Sequence, residues 1–193
     1  MDIMSDSTFW DIIARSSAED QDQQSKQLAT ELSKLSQNEL IAFEGHYRSK
    51  LRQAYHWDLW AAAYIINGGA SDDSFDYFCD WLISRGQSVY DAALENPETL
   101  IGIATPWETE FEEFRYIMMD VMEEKFSGEF PRPSEPRPSS PAGESWDEET
   151  VGDKYPKLAA WVEGNVPTPP APPAPPPTPP SKPSFWQRLF GKG

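Results

Sequence analysis

The sequence predicts an all-α fold: a compact multi-helix domain over residues 1–166, followed by a disordered proline-rich tail with a short amphipathic end. Three observations carry this expectation. Residues 1–130 place apolar side chains at helical spacing with almost no strand-type alternation. Those residues contain only Pro97 and Pro106, whereas the other seventeen of the chain's 19 prolines come after Phe130. Capping residues also stand where the apolar runs begin and end.

Thr8, with Asp11 three residues on, predicts a start for the run Phe9-Trp10-Asp11-Ile12-Ile13-Ala14. Residues 19–35 are polar, but Leu28, Leu32 and Leu35 share one helical face. Ser36-x-x-Glu39 is a capping box that opens a helix through Leu40, Ile41, Phe43, Tyr47, Leu51 and Tyr55. Trp57 to Asn67 is a largely apolar helix halted by Gly68-Gly69. Ser71 then supplies an N-cap, and Asp72 and Asp73 put negative charge where the helix macrodipole favours it. That helix continues through Phe75, Phe78, Cys79, Leu82 and Ile83 to Gly86. A shorter helix around Val89–Leu94 ends in a turn at Asn96-Pro97. Glu108 to Ser127 is the longest expected helix, with Phe111, Phe114, Ile117 or Met118, Val121 and Met122 along its buried stripe. Trp10, Trp57, Trp60, Trp81 and Trp107 are expected to help fill the core.

Past residue 130 the character changes. Residues 131–149 are proline-rich and then acidic, which predicts a loop. Residues 155–162 predict a last short helix with Leu158 and Trp161 docked on the core. Residues 167–183 hold eleven prolines in seventeen positions, a polyproline II spacer of roughly 50 Å at ~3.1 Å per residue. Residues 184–193 bring Phe185, Trp186, Leu189 and Phe190 to one side of a helical turn, with Arg188 and Lys192 beside them. So short a helix does not form alone in water, where even ~12–15 residues are marginal. The segment is therefore expected to order only on docking, against another protein, a membrane surface or a groove of its own domain.

Charge narrows the function classes. The formal charge is -16, from 16 basic and 32 acidic side chains, which disfavours non-specific contact with nucleic acid. Residues 1–130 hold 9 basic and 25 acidic groups, whereas residues 167–193 hold Lys182, Arg188 and Lys192 with no acid. A single cysteine, Cys79, and two histidines exclude a cysteine/histidine zinc site. No apolar run approaches the ~18 residues of a membrane span. The start Met1-Asp2-Ile3-Met4 lacks a secretory pattern. The expected location is the cytoplasm, with peripheral contact at the inner face of the membrane open to the tail. No cofactor or metal is expected.

The stretch from Tyr55 to Phe78, with its Trp57-Asp58-Leu59-Trp60 start and Asn67-Gly68-Gly69 turn, resembles the central block of the bacterial domain of unknown function 4240. Agreement extends to Phe9-Trp10, to Trp81-Leu82-Ile83-Ser84-Arg85-Gly86, and to Trp146-Asp147 and Tyr155-Pro156-Lys157-Leu158, covering roughly residues 7–164. The resemblance implies a shared fold and transfers no activity.

Within this block Trp57, Asp58, Trp60, Asn67, Asp72 and Asp73 form a possible domain site. Paired carboxylates do acid/base work only when one cleft drives their proton affinities apart. Capping and the macrodipole explain Asp72 and Asp73 without chemistry. Asp72, Asp76 and Asp80 recur every fourth residue, which reads as a solvent-facing stripe. Their spacing fails the alternating ligand pattern of a calcium loop. Cys79 sits at core spacing, and no serine lies in a nucleophile elbow.

Glu112, Glu113, Asp120, Glu123 and Glu124 load the last long helix, which carries only Arg115 and Lys125 in return. A solvated face and a docking face for a basic partner both fit this pattern. The sequence thus points to a non-enzymatic adaptor. Its helical domain would bind a protein partner, and Phe185, Trp186, Arg188, Leu189, Phe190 and Lys192 would dock on a second protein or a membrane. An acidic immunity or antitoxin-type protein and an enzyme using Asp58, Asp72 and Asp73 remain the alternatives.

Overall fold

The computed structural model of the chain describes residues 4–132 and 136–166. The spacer 167–183 and the segment 184–193 lie outside the described residues. Helices α1 (Asp6–Ser16), α2 (Gln21–Leu32), α3 (Gln37–Ala54), α4 (Trp57–Asn67), α5 (Asp72–Ser84) and α6 (Gln87–Glu95) succeed one another closely. A short 3-10 helix, Pro97–Leu100, leads through an irregular segment to α7 (Glu113–Phe126). The single turn α8 (Val151–Lys154) and α9 (Pro156–Asn165) complete the domain. Among the described residues there is no strand beyond one isolated parallel bridge, His56 to Ala142.

The caps explain most boundaries. The Ser36 box forms in full, with the Glu39 side chain returning to the Ser36 N–H at 2.8 Å. Ser71 accepts from the Ser74 amide and opens α5. Gly68, at φ 70°, closes α4 in the left-handed conformation that a residue with a Cβ adopts only under strain. The first helix starts earlier than expected: Ser5, not Thr8, is its N-cap, accepting from the Thr8 amide at 3.1 Å. Gly86 belongs to the start of α6, while α5 ends at Ser84.

The core gathers the inner faces of α1, α3, α5, α6 and α7 and the segment before α7, where Phe9, Phe43, Phe75, Phe78, Tyr90, Phe114 and Phe111 are fully buried. Each such ring contributes roughly 1.5–3 kcal/mol on burial. Of the five tryptophans expected inside, Trp10 and Trp81 are buried, Trp57 and Trp60 are half-covered, and Trp107 is exposed. Leu158 is buried and Trp161 packs partly covered against the core, as residues 155–162 predicted.

The expected long helix from Glu108 loses its first turn. Three tertiary hydrogen bonds hold residues 108–112 out of helix. The Phe111 N–H donates to the Tyr77 carbonyl at 3.1 Å, Gln21 donates to the Glu110 carbonyl at 2.9 Å, and the Thr109 hydroxyl donates to Asn67 at 2.8 Å. The Phe111 N–H and the Glu110 carbonyl, so committed, do not join an i to i+4 ladder, and the Thr109 side chain anchors the segment beside them. Helix α7 therefore has 14 residues, and α3, with 18, is the longest.

Candidate functional site

Helix α7 packs Phe114, Ile117, Met118, Val121 and Met122 inward against α2, α3 and α5. The 3.6-residue period then turns Glu112, Tyr116, Met119, Asp120 and Glu123 outward, with Glu113 and Glu124 at the edges. All seven are exposed. Tyr116 and Met119, one turn apart, keep 45% and 50% of their surface in solvent. Two large apolar side chains thus stand together inside a ring of carboxylates.

The helix's own cations do not neutralise that ring. Arg115 points inward, donating from Nε to Asp80 at 2.6 Å and lying 3.6 Å from Asp76. Burial alone would lower its proton affinity, but the two carboxylates more than offset that and hold the guanidinium charged. Lys125 donates to the carbonyls of Ser33 and Leu35, each at 2.6 Å, where it closes the C-terminal end of α2. Among the described residues no ion pair includes Glu113, Asp120, Glu123 or Glu124. Glu112 accepts only a neutral partner, the Tyr77 hydroxyl at 3.0 Å.

A groove of about 1020 Å³ opens beside the C-terminal half of α7. Met119, Met122 and Phe130 give it apolar walls, and Glu123 and Glu129 stand at its rim. Thioethers are flexible and polarisable, so walls of this kind adapt to aromatic side chains of varied shape. Arg48 also lines the groove, but its guanidinium is ion-paired with Glu44 one turn back on α3. Burial raises the proton affinity of Glu44, and Arg48 offsets this only in part.

The Trp57–Asp73 block has a different geometry. Trp57 stacks on Trp60, which lies flat on Phe75 with centroids 4.7 Å apart. Asp58 pairs with Lys154 at 2.5 Å. Burial pushes its carboxyl up, but hydrogen bonds from Lys154 and Tyr155 win and hold it below the ordinary range. Asn67 accepts from Thr109 and so fixes the segment before α7. Asp72 and Asp73 head α5, beyond the far end of α4 from Asp58, a helix rise of about 15 Å away. The three carboxylates are not brought together. Three grooves in the described surface, beside α7, between α1 and α6, and under Trp107, are lined by none of them. Among the described residues no group of three or more His, Cys, Asp or Glu side chains is placed to hold a metal ion.

The expected solvent stripe of Asp72, Asp76 and Asp80 is corrected in its last member. Asp80 is 0% exposed and takes hydrogen bonds from the Tyr47 hydroxyl and from Arg115. Asp76 carries Arg137 at 2.7 Å, and that guanidinium lies 4.0 Å over the Tyr55 ring. Asp72 and Asp73 are exposed and Asp76 is partly so.

Sequence reasoning found the acids of α7 but missed Tyr116 and Met119. The signal was present, because both fall opposite the stripe of Phe114, Met118 and Val121. No helix of the described residues is long and apolar enough to cross a membrane. No curated protein and no solved structure matches the chain. One family model does match, over residues 4–124, which hold α1 to α6, most of α7 and the whole acidic face. Trp146-Asp147 and Tyr155–Leu158, which the resemblance had included, lie beyond that match. Spanning more than half of the sequence, it places the chain in the family described as protein of unknown function (DUF4240).

Proposed function

We propose that the chain is a protein-binding module that captures a cationic, aromatic-bearing partner on the outer face of α7. One observation carries this reading: Tyr116 and Met119 stand exposed within a ring of acids while both cations of the helix are engaged elsewhere, Arg115 by Asp80 and the exposed Lys125 by the carbonyls of Ser33 and Leu35. A face kept only for solubility has no use for two large apolar groups at its centre. Hot spots of protein interfaces take this form, with apolar or aromatic anchors inside a polar rim. Uncompensated carboxylates add attraction that steers a basic partner in and repels acidic ones. An antitoxin covering a basic toxin is one case of this reading and would use the same face. The enzyme alternative gains nothing, since Asp58, Asp72 and Asp73 stand apart.

The test compares the intact full chain with a Tyr116→Ser, Met119→Ser double variant. Both are used to retain proteins from native lysate at low and high salt. The expected result is a set of basic proteins held by the intact chain, released by salt and absent from the variant. The same retained set on both chains would overturn the reading.

A further inference from the structure

We infer that residues 184–193 of this chain are an occupant of the α7 face and its groove, so that the module is covered by its own tail until a partner displaces it. The inference rests on the reading of α7 as a docking face and names the segment that fits it. Charge complementarity is the first argument. Residues 167–193 carry Lys182, Arg188 and Lys192 with no acid, whereas the groove rim carries Glu123 and Glu129 and the adjoining face Glu112, Glu113, Asp120 and Glu124. These opposite charges belong to one molecule, so each is always present for the other.

Shape gives the second argument. Phe185, Trp186, Leu189 and Phe190 fall at i, i+1, i+4 and i+5, on one side of a helical turn. Met119, Met122 and Phe130 offer an apolar surface for that side, and Tyr116 extends it along α7. Arg188 and Lys192 then fall beside the apolar row, at the level of the carboxylate rim. Helix-in-groove docking joins the same two elements, an amphipathic turn and an apolar furrow.

Reach gives the third argument. Extended as polyproline II, at ~3.1 Å per residue, the seventeen residues 167–183 would span roughly 50 Å. A domain of this size has a radius of gyration of ~15 Å and so is about 40 Å across. The spacer is long enough to carry the segment from the end of α9 around to α7.

The experiment uses a fluorescent synthetic peptide of residues 184–193 as its probe. It is titrated into three full-length chains: the intact protein, a tail variant with F185S, W186S, L189S and F190S, and an α7 variant with Y116S, M119S, E123K and E124K. A tethered segment acts at an effective concentration of around a millimolar. For a peptide affinity near a tenth of that, self-occupancy weakens binding to the intact chain by about tenfold relative to the tail variant. The α7 variant should not bind the peptide at all. Circular dichroism establishes that all three chains are folded, which the exposed positions of the four α7 substitutions favour. Equal affinity for the intact and tail-variant chains would overturn the inference. So would failure of the peptide to bind any of them, or flotation of the intact chain with phosphatidylglycerol vesicles while the peptide ignores α7. In those outcomes the α7 face stands or falls separately, on whether the Tyr116→Ser, Met119→Ser double variant still loses its lysate partners.

Discussion

Asp80 is the residue whose role the sequence concealed most completely. It recurs with Asp72 and Asp76 at a spacing that suits a wet stripe, and its partners Tyr47 and Arg115 are 33 and 35 residues away. Only the fold could reveal that α3 and α7 close over it. Burial raises its pKa to about 7, with Arg115 and the Tyr47 hydroxyl restraining the rise. The unfolded carboxyl titrates near ~3.9. Between those values the folded chain holds a proton that the unfolded chain has released, so Asp80 makes stability fall as pH rises from about 4 to about 7. Asp80→Asn cannot ionise, and the difference in unfolding free energy between it and the parent should change across that window. Chemical denaturation at several pH values measures it; a pH-independent difference would show that Asp80 is ionised throughout. At the same scale, Tyr116 and Met119 were legible in principle. Their acidic neighbours drew the eye to charge, and a helix read as charged outside hides two apolar groups within that charge.

At the scale of elements, local chemistry was legible wherever it was also sufficient. Ser36 with Glu39, Ser71, and Gly68 each act within one helical turn, and each boundary lies where it predicts. The same logic failed at Glu108 because the deciding hydrogen bonds come from Tyr77, Gln21 and Asn67, on three other elements. It also gave no warning of the strap formed by residues 142–146. There Ala142 exchanges two hydrogen bonds with the α3–α4 junction, donating to Tyr55 at 3.0 Å and accepting from Trp57 at 2.9 Å. The Trp146 indole donates to the Trp57 carbonyl at 2.8 Å. Gly143 makes the crossing possible, since it has φ 88° and a Cβ there would lie 2.4 Å from the His56 ring. Gly143→Ala should therefore lose ~1–3 kcal/mol, from backbone strain and displacement of the strap. Denaturant titration followed by tryptophan fluorescence reads this directly. A loss within a few tenths of a kcal/mol would mean that His56 moves aside at no cost.

For the whole molecule, the sequence made two things plain: an all-α domain, and a contrast of charge between that acidic domain and the basic tail beyond Val166. Apolar spacing and caps show the first and net charge the second, neither needing any knowledge of packing. The sequence could not show that Asp80 holds Arg115 and that the end of α2 holds Lys125, since that depends on which helices neighbour α7. Those engagements are what leave the face acidic. Cys79 bears on the molecule at the same scale. It is the only cysteine in the sequence, it is 2% exposed, and burial raises its thiol pKa well above the ordinary value. A thiol reagent therefore meets no reactive group until α5 leaves its neighbours. Labelling rate becomes a clock for opening events, with no engineered probe and no competing site. Reaction should be slow in buffer and should quicken with denaturant in step with global unfolding. Labelling that runs ahead of unfolding would instead reveal a door in the wall around α5, through which small molecules reach the centre while the rest of the fold stands.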